Sequence, residues 1–334
     1  MRDWANPFSC ALLACASLLA MPAPALAEDL HLQPGIFSDP SFDPTVSVGT
    51  SISHVSGTAH EFVYTNAGSY KLSELDWQIK DVLMLNASLG IRLTPWVAFQ
   101  LSGGTKLSGN SQLDDYDWLQ KGKDWSHWSD HPDTNVTDAN RIDASGNLTL
   151  FRHPNFNLDA VAGLRWNEWA FSAKGGHYIY SSKTGFRDQI GDFASGLAVG
   201  SYKQNLITPY LGLAFGANYD RFSFDASVLG SAWSYANTYD QHYVRGLLFH
   251  DTTHNANYYD YKFGFGYQYS ERVNINVGWE REVYQLVKGG ETISTLGSGV
   301  NGSGGKTGAW VLGQGTGNDN STDRYSVGLT YSLY

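Results

Sequence analysis

From Ile207 onward, Pro209, Leu211, Leu213, Phe215, Ala217 and Tyr219 alternate with Thr208, Tyr210, Gly212, Ala214, Gly216 and Asn218. The same period of two sets Val273, Ile275, Val277 and Trp279 against Asn274, Asn276, Gly278 and Glu280, and Tyr325, Val327, Leu329 and Tyr331 against Ser326, Gly328, Thr330 and Ser332. Side chains along a strand point alternately to its two faces, so each segment reads as a strand with one bulky apolar face. Taking clusters of Gly, Pro, Asn and Asp as turns, the pattern predicts ten strands, at about 45–66, 71–92, 96–117, 133–152, 156–182, 198–218, 222–242, 257–269, 273–289 and 322–334. A β-sandwich would show the same alternation. The connections decide: short turns at 93–95, 153–155, 219–221 and 270–272 alternate with longer loops at 67–70, 118–132, 183–197, 243–256 and 290–321, the last rich in Gly and Ser. Short turns on one side and long loops on the other predict an all-β fold, a ten-stranded antiparallel up-and-down transmembrane β-barrel with long outer loops. Crossing a bilayer takes about 9–11 tilted residues. Several predicted strands run to about twice that, so the barrel should stand clear of the membrane on its long-loop side.

Composition agrees with strands that carry aromatic girdles: Tyr 20, Trp 11 and Gly 36 among 334 residues, with mean hydropathy slightly negative. Arg2, the apolar run from Phe8 to Met21 and the small-x-small site Ala25-Leu26-Ala27 read as a secretory signal over 1–27. Residues 28–334 then form a single barrel domain. Cys10 and Cys15 would leave with the signal, so neither a disulfide nor thiol chemistry is expected. The excess of acid over base, 32 against 22, favours encounter with cationic peptides and speaks against nucleic acid as a partner. A general porin fits poorly, because side chains fill a lumen of this size.

Chemistry concentrates in two short motifs. In Leu113-Asp114-Asp115-Tyr116-Asp117-Trp118, Asp115 and Asp117 share one strand face, and like charges that close raise each other's pKa or demand a partner. Asp240-Gln241-His242 has the composition of a general base with its orienting carboxylate. In a closed ten-stranded barrel the third and seventh strands lie nearly opposite, which sets the two motifs facing each other across the outer mouth. Parity needs one more element. If Val97, Phe99 and Leu101 face lipid, strict alternation sends Asp115 and Asp117 outward too, and the same holds for Asp240 and His242 relative to Phe222 and Phe224. A β-bulge in each strand restores the inward face. An Asp-x-Asp pair in a surface loop is more often solvated, or a calcium ligand, than catalytic. His127, His131, His250 and His254 match no compact zinc signature, so no metal site is expected. Glu280 and Asp225 should join a polar lumen network, and Trp118, Trp125 and Trp128 should pack the outer loop.

At these motifs the sequence resembles the omptin family of outer-membrane endopeptidases. The likeness is carried by Leu75-Asp76-Trp77, Asp115-Tyr116-Asp117-Trp118, His131-Pro132-Asp133-Thr134, Gly175-Gly176-His177-Tyr178-Ile179-Tyr180-Ser181-Ser182 running into Gly185-Phe186-Arg187-Asp188-Gln189-Ile190-Gly191, then Tyr202-Lys203-Gln204, Pro209-Tyr210 and Asp240-Gln241-His242-Tyr243. The resemblance implies a barrel in the bacterial outer membrane whose outward groove cuts peptides or proteins, commonly beside basic residues. It carries catalytic roles onto Asp115, Asp117, Asp240 and His242. Side-chain chemistry fits them: His242 can deprotonate water while Asp240 accepts its Nδ1 proton, and the Asp pair can hold that water and share a proton. Ser129 matches a family serine and reads as structural or substrate-binding. Glu61 matches an acidic residue of the pocket for a basic side chain, but its acidic companion is Thr238 here, and a second acidic position corresponds to His127. Lipopolysaccharide is the one accessory molecule implied. The matching outer-wall positions, Leu164, Trp166, Glu168, Asn205 and His254, keep none of the family's residue types. A barrel that has lost most of its catalysis and serves as an adhesin or structural protein is the alternative. Oligomeric state is not determined by the sequence.

Overall fold

The computed structural model describes residues 43–65, 68–296 and 310–333. The segment read as a secretory signal lies outside them. Ten antiparallel strands form a closed ring: β1 (Thr45–Thr65), β2 (Tyr70–Arg92), β3 (Val97–Asp117), β4 (His127–His153), β5 (Phe156–Tyr180), β6 (Gln189–Tyr219), β7 (Phe222–His242), β8 (Leu247–Gln268), β9 (Val273–Thr295) and β10 (Trp310–Ser332). β1 pairs with β10 from Ser47↔Ser332 to Val63↔Thr316, which closes the sheet on itself.

Several strands extend further outward than the alternation predicts. β4 starts at His127 rather than 133, β6 at Gln189 rather than 198 and β8 at Leu247 rather than 257. β9 runs on to Thr295, and β10 begins at Trp310. The predicted loop 290–321 is therefore strand at both ends, and 297–309 lie outside the described residues. Beyond the membrane both faces of a strand meet polar surroundings. The period of two fades there while the backbone ladder continues.

The lower half is inside out relative to a water-soluble fold. Phe263 is 60 % and Val327 61 % exposed on the outer wall, whereas Arg165 in the lumen is 0 % exposed. Exposed Phe99, Leu101, Leu213 and Phe224 continue the same lipid-facing band. Inside, Arg165 contacts Asp143, Asp260 and Glu282, each at 2.6 Å, and Arg141 holds Glu280 at 2.7 Å and Glu282 at 3.1 Å. Lys262 and Arg324 complete the cluster on Glu280, at 3.3 and 3.2 Å. Asp260, Glu280 and Glu282 lie close enough to hold a metal ion, but these guanidinium and ammonium groups already neutralise them. Above this plug, Trp77 lies nearly parallel to Tyr202, with ring centroids 5.7 Å apart, and packs on Phe171 at 5.4 Å. With Leu75 and Leu113 these buried rings form the floor of an outward-facing groove.

Between plug and groove the strands change face. Leu83 pairs with Ser108 and Met84 with Lys106, which leaves Leu107 as an extra residue on β3. Below it Phe99 and Leu101 point to lipid; beyond it Leu113 is buried and Asp117 with it. In β7 the step from Ser231↔Tyr258 to Ser234↔Ala256 adds one residue. Phe224 and Val228 face outward below it, whereas Ala236, Thr238 and Asp240 are buried above. The bulges that parity required are thus present in both strands.

Candidate active site

The groove is built from the outer ends of strands on opposite sides of the ring. On β3, Asp115 pairs with Leu75 of β2 and Ser129 of β4, and Asp117 pairs with Ser73 and His127. Ser73 donates a hydrogen bond to Asp115 Oδ1 at 3.5 Å. On β7, Asp240 is buried and contacts His242 through Oδ2 and Nε2. The ring thus offers the opposite nitrogen to the one anticipated. The division of labour survives with the nitrogens reversed: Nε2 is held by the carboxylate and Nδ1 is left for a reacting proton.

The two pairs act on each other. Burial, and then the Asp117 charge, push the Asp115 carboxyl up to about 7, while Arg245 and the His242 imidazolium pull it back down. Burial would lower the His242 pKa, but the Asp240 carboxylate more than offsets this and holds it above its ordinary value. Arg245, in the turn between β7 and β8, reaches across the mouth and places Nη2 3.2 Å from Asp117 Oδ2.

Ser129 lies beside Asp115 and is buried. His131 Nδ1 donates to the Gly175 carbonyl at 2.5 Å, so Nε2 accepts from Ser129 Oγ at 2.9 Å. Burial lowers the His131 pKa, which favours this neutral form. The backbone permits the contact because Gly175 and Gly176 have φ of 56° and 118°; a Cβ on Gly176 would meet the Asp130 carbonyl at 2.2 Å. Tyr180, raised to about 12 by burial and the Asp115 charge, remains a protonated donor nearby.

Glu61 is 0 % exposed, and neither carboxylate oxygen has a partner among the described residues. Burial and the charges of Asp240, Asp251, Glu291 and Asp115 raise its pKa well above the ordinary range. Thr238 donates to Asp251 Oδ2 of β8 at 3.2 Å. His127 stacks on Tyr180 with centroids 4.8 Å apart, and burial lowers its pKa. Trp118, Trp125 and Trp128 pack around Tyr116 outside the groove. On the outer wall Leu164 is exposed, whereas Glu168 is buried and paired with Lys203 at 2.5 Å.

A sequence model of the Omptin family matches residues 43–333. The chain belongs to the omptin family. Among similar proteins, Protease 7 of Escherichia coli O157:H7 is 32 % identical over 250 residues, covering 72 % of this chain and 79 % of the relative. The plasminogen activator of Yersinia pestis is 31 % identical over 268 residues, covering 80 % and 83 %. The crystal structure of outer membrane protease OmpT from Escherichia coli superposes with a TM-score of 0.82 at 27 % identity, covering 88 % of this chain and 99 % of that one. This omptin is therefore an outer-membrane β-barrel peptidase. Three residues of its groove escaped the sequence reading: Arg245, Asp251 and Glu291. Placing residues 243–256 in a loop hid Asp251, which the hairpin register sets directly opposite Thr238. Glu291 fell in the predicted 290–321 loop, yet it pairs with Asp251 on β9.

Proposed function

We propose that this omptin hydrolyses peptide bonds with a water molecule held between the Asp115/Asp117 and Asp240/His242 pairs, and does so beside basic residues. His242 takes a proton from the water through its open nitrogen, and Asp240 stabilises the imidazolium that forms. The resulting hydroxide adds to the scissile carbonyl carbon. Asp115, protonated, donates a hydrogen bond to the carbonyl oxygen as it becomes an oxyanion. When the C–N bond breaks, the imidazolium returns its proton to the leaving amine. Asp117 and Ser129 hold the water and the substrate backbone, and Glu61 receives the cationic side chain. His127 contributes packing rather than charge on the far side of the cut.

The observation that carries this reading is the meeting of the two pairs: Asp240 contacts His242 on β7, and Arg245, three residues further on, reaches Asp117 on β3. A carboxyl with a pKa near 7 faces an imidazole whose pKa its own carboxylate partner raises, so the competent arrangement has one proton on Asp115 and none on the open nitrogen of His242. Activity should follow a narrow bell centred near neutrality. Refolded protein with added lipopolysaccharide, assayed on peptides containing Arg or Lys, supplies the test. His242→Ala should lower kcat/KM by about 10²–10⁴-fold; identical traces for the two proteins would leave the barrel an adhesin or structural protein.

A further inference from the structure

Glu61 is not alone beneath the groove. Asp251 and Glu291 are each 1 % exposed, and among the described residues no Lys or Arg pairs with any of the three. Both oxygens of Glu61, both of Glu291 and Oδ1 of Asp251 lack a hydrogen-bond partner. The one satisfied oxygen, Asp251 Oδ2, accepts from Thr238 at 3.2 Å and from Thr316 at 2.9 Å, which fixes the carboxylate and leaves Oδ1 free. The contrast lies within the same barrel: in the lower lumen Asp143, Asp260, Glu280 and Glu282 are matched by Arg141, Arg165, Lys262 and Arg324. Buried carboxylates are ordinarily paired. Three that act on each other's charge, with no cationic partner among the described residues, suit a cationic ligand.

We infer that Asp251 and Glu291 supply, from β8 and β9, the charge that Thr238 lacks on β7, and that with Glu61 they form a buried pocket selecting an arginine side chain of the substrate. This rests on the peptidase reading above. Position supports it: Glu61, Leu75 and Asp115 follow one another across β1, β2 and β3, so the pocket adjoins the proposed water site. Chemistry favours arginine over lysine. A guanidinium presents five N–H donors in a planar fork, whereas an ammonium presents three, and five carboxylate oxygens without a partner among the described residues can accept from them.

The three carboxyl groups should hold protons that the ligand displaces. Burial, then the Asp251 and Asp240 charges, push Glu291 up to about 8, and burial with Asp240 takes Asp251 up to about 7. The groups facing them are Glu61 on β1, Asp115 on β3, Tyr202 on β6 and Asp240 on β7, with Thr316 and Asn318 on β10. Each ionisable one is anionic or neutral. A bound guanidinium lowers both pKa values, so binding at pH 7 releases protons.

Calorimetry on full-length His242→Ala protein, in two buffers of different ionisation enthalpy, reads this without turnover. An arginine peptide should bind with proton release, and its citrulline counterpart should bind on the order of 10²-fold more weakly. Asp251→Asn with Glu291→Gln should remove most of that difference. Equal binding of the two peptides, or a preference untouched by the double substitution, would overturn the pocket. In the His242-containing background, cleavage that ignores Asp251 and Glu291 also refutes the pocket while sparing the peptidase reading. Arginine binding without cleavage refutes the peptidase reading and spares the pocket. Glu291→Gln alone should raise the thermal midpoint at pH 7. The folded state binds more protons than the unfolded chain between the ordinary glutamate pKa and about 8, so ionisation of Glu291 opposes folding across that window. A lowered midpoint would mean that Glu291 is paired, and the pocket would fall.

Discussion

In the proposed mechanism Arg245 sets the pH at which the site works. Its guanidinium lowers the pKa of Asp115 and also that of His242, because a nearby cation favours the carboxylate and disfavours the imidazolium. Removing it should raise both. In that mechanism loss of the Asp115 proton defines the alkaline limb and loss of the His242 proton the acid limb, so Arg245→Gln should move the whole bell upward by about one pH unit. The profile of kcat/KM between pH 5 and about 9 measures it; movement of one limb alone would contradict this account. Residues of this kind mark the limit of sequence reading at this scale. That Asp115 shares a face with Asp117, and Asp240 with His242, is legible because each pair is two residues apart on a strand, a relation fixed by backbone geometry. Arg245 joins the site only because a long side chain spans the mouth from a turn, and no local pattern records that.

Strands carry the second layer of information, and their irregularities matter as much as their period. The membrane-spanning halves were legible from alternation, since lipid outside and a polar lumen inside impose opposite demands on successive residues. The need for bulges followed from parity, but their positions did not. Asp81, with φ of 49°, and Asn255, with φ of 62°, sit at two further register shifts, so the change of face is shared around the rim rather than confined to β3 and β7. Deleting Leu107 should restore strict alternation along β3. Asp115 and Asp117 would then point out of the groove while Phe99 and Leu101 keep their contact with lipid. Cleavage should fall by at least about 10²-fold, with the heat-dependent electrophoretic shift of the folded barrel retained. A deletion variant that folds and still cleaves at the original rate would show that the bulge does not aim the pair.

At the scale of the whole molecule, the barrel divides its acidic residues into two populations with opposite thermodynamic roles. Those of the lower lumen are paired and serve the fold, whereas Glu61, Asp251 and Glu291 have no cationic partner among the described residues and, in the proposed pocket, bind the substrate's guanidinium. The two should respond with opposite sign to loss of charge. Arg165 is wholly buried and touches Asp143, Asp260 and Glu282, besides lying 5.2 Å from the Tyr210 ring and 5.6 Å from that of Tyr258. Arg165→Met keeps much of the volume but strands carboxylates in a lumen closed above by Trp77, Phe171 and Tyr202. Removing one partner of a buried ion pair costs about 3–5 kcal/mol, a large part of the 5–15 kcal/mol or so that holds a typical domain folded. The variant should therefore unfold at a lower temperature or lower denaturant concentration than the parent, measured by tryptophan fluorescence in micelles. Its fraction that remains folded should cleave peptides with an unchanged preference, because the plug lies beneath the aromatic floor and does not touch the groove. An altered preference would mean that plug and pocket form one electrostatic unit, and the division between them would have to be abandoned.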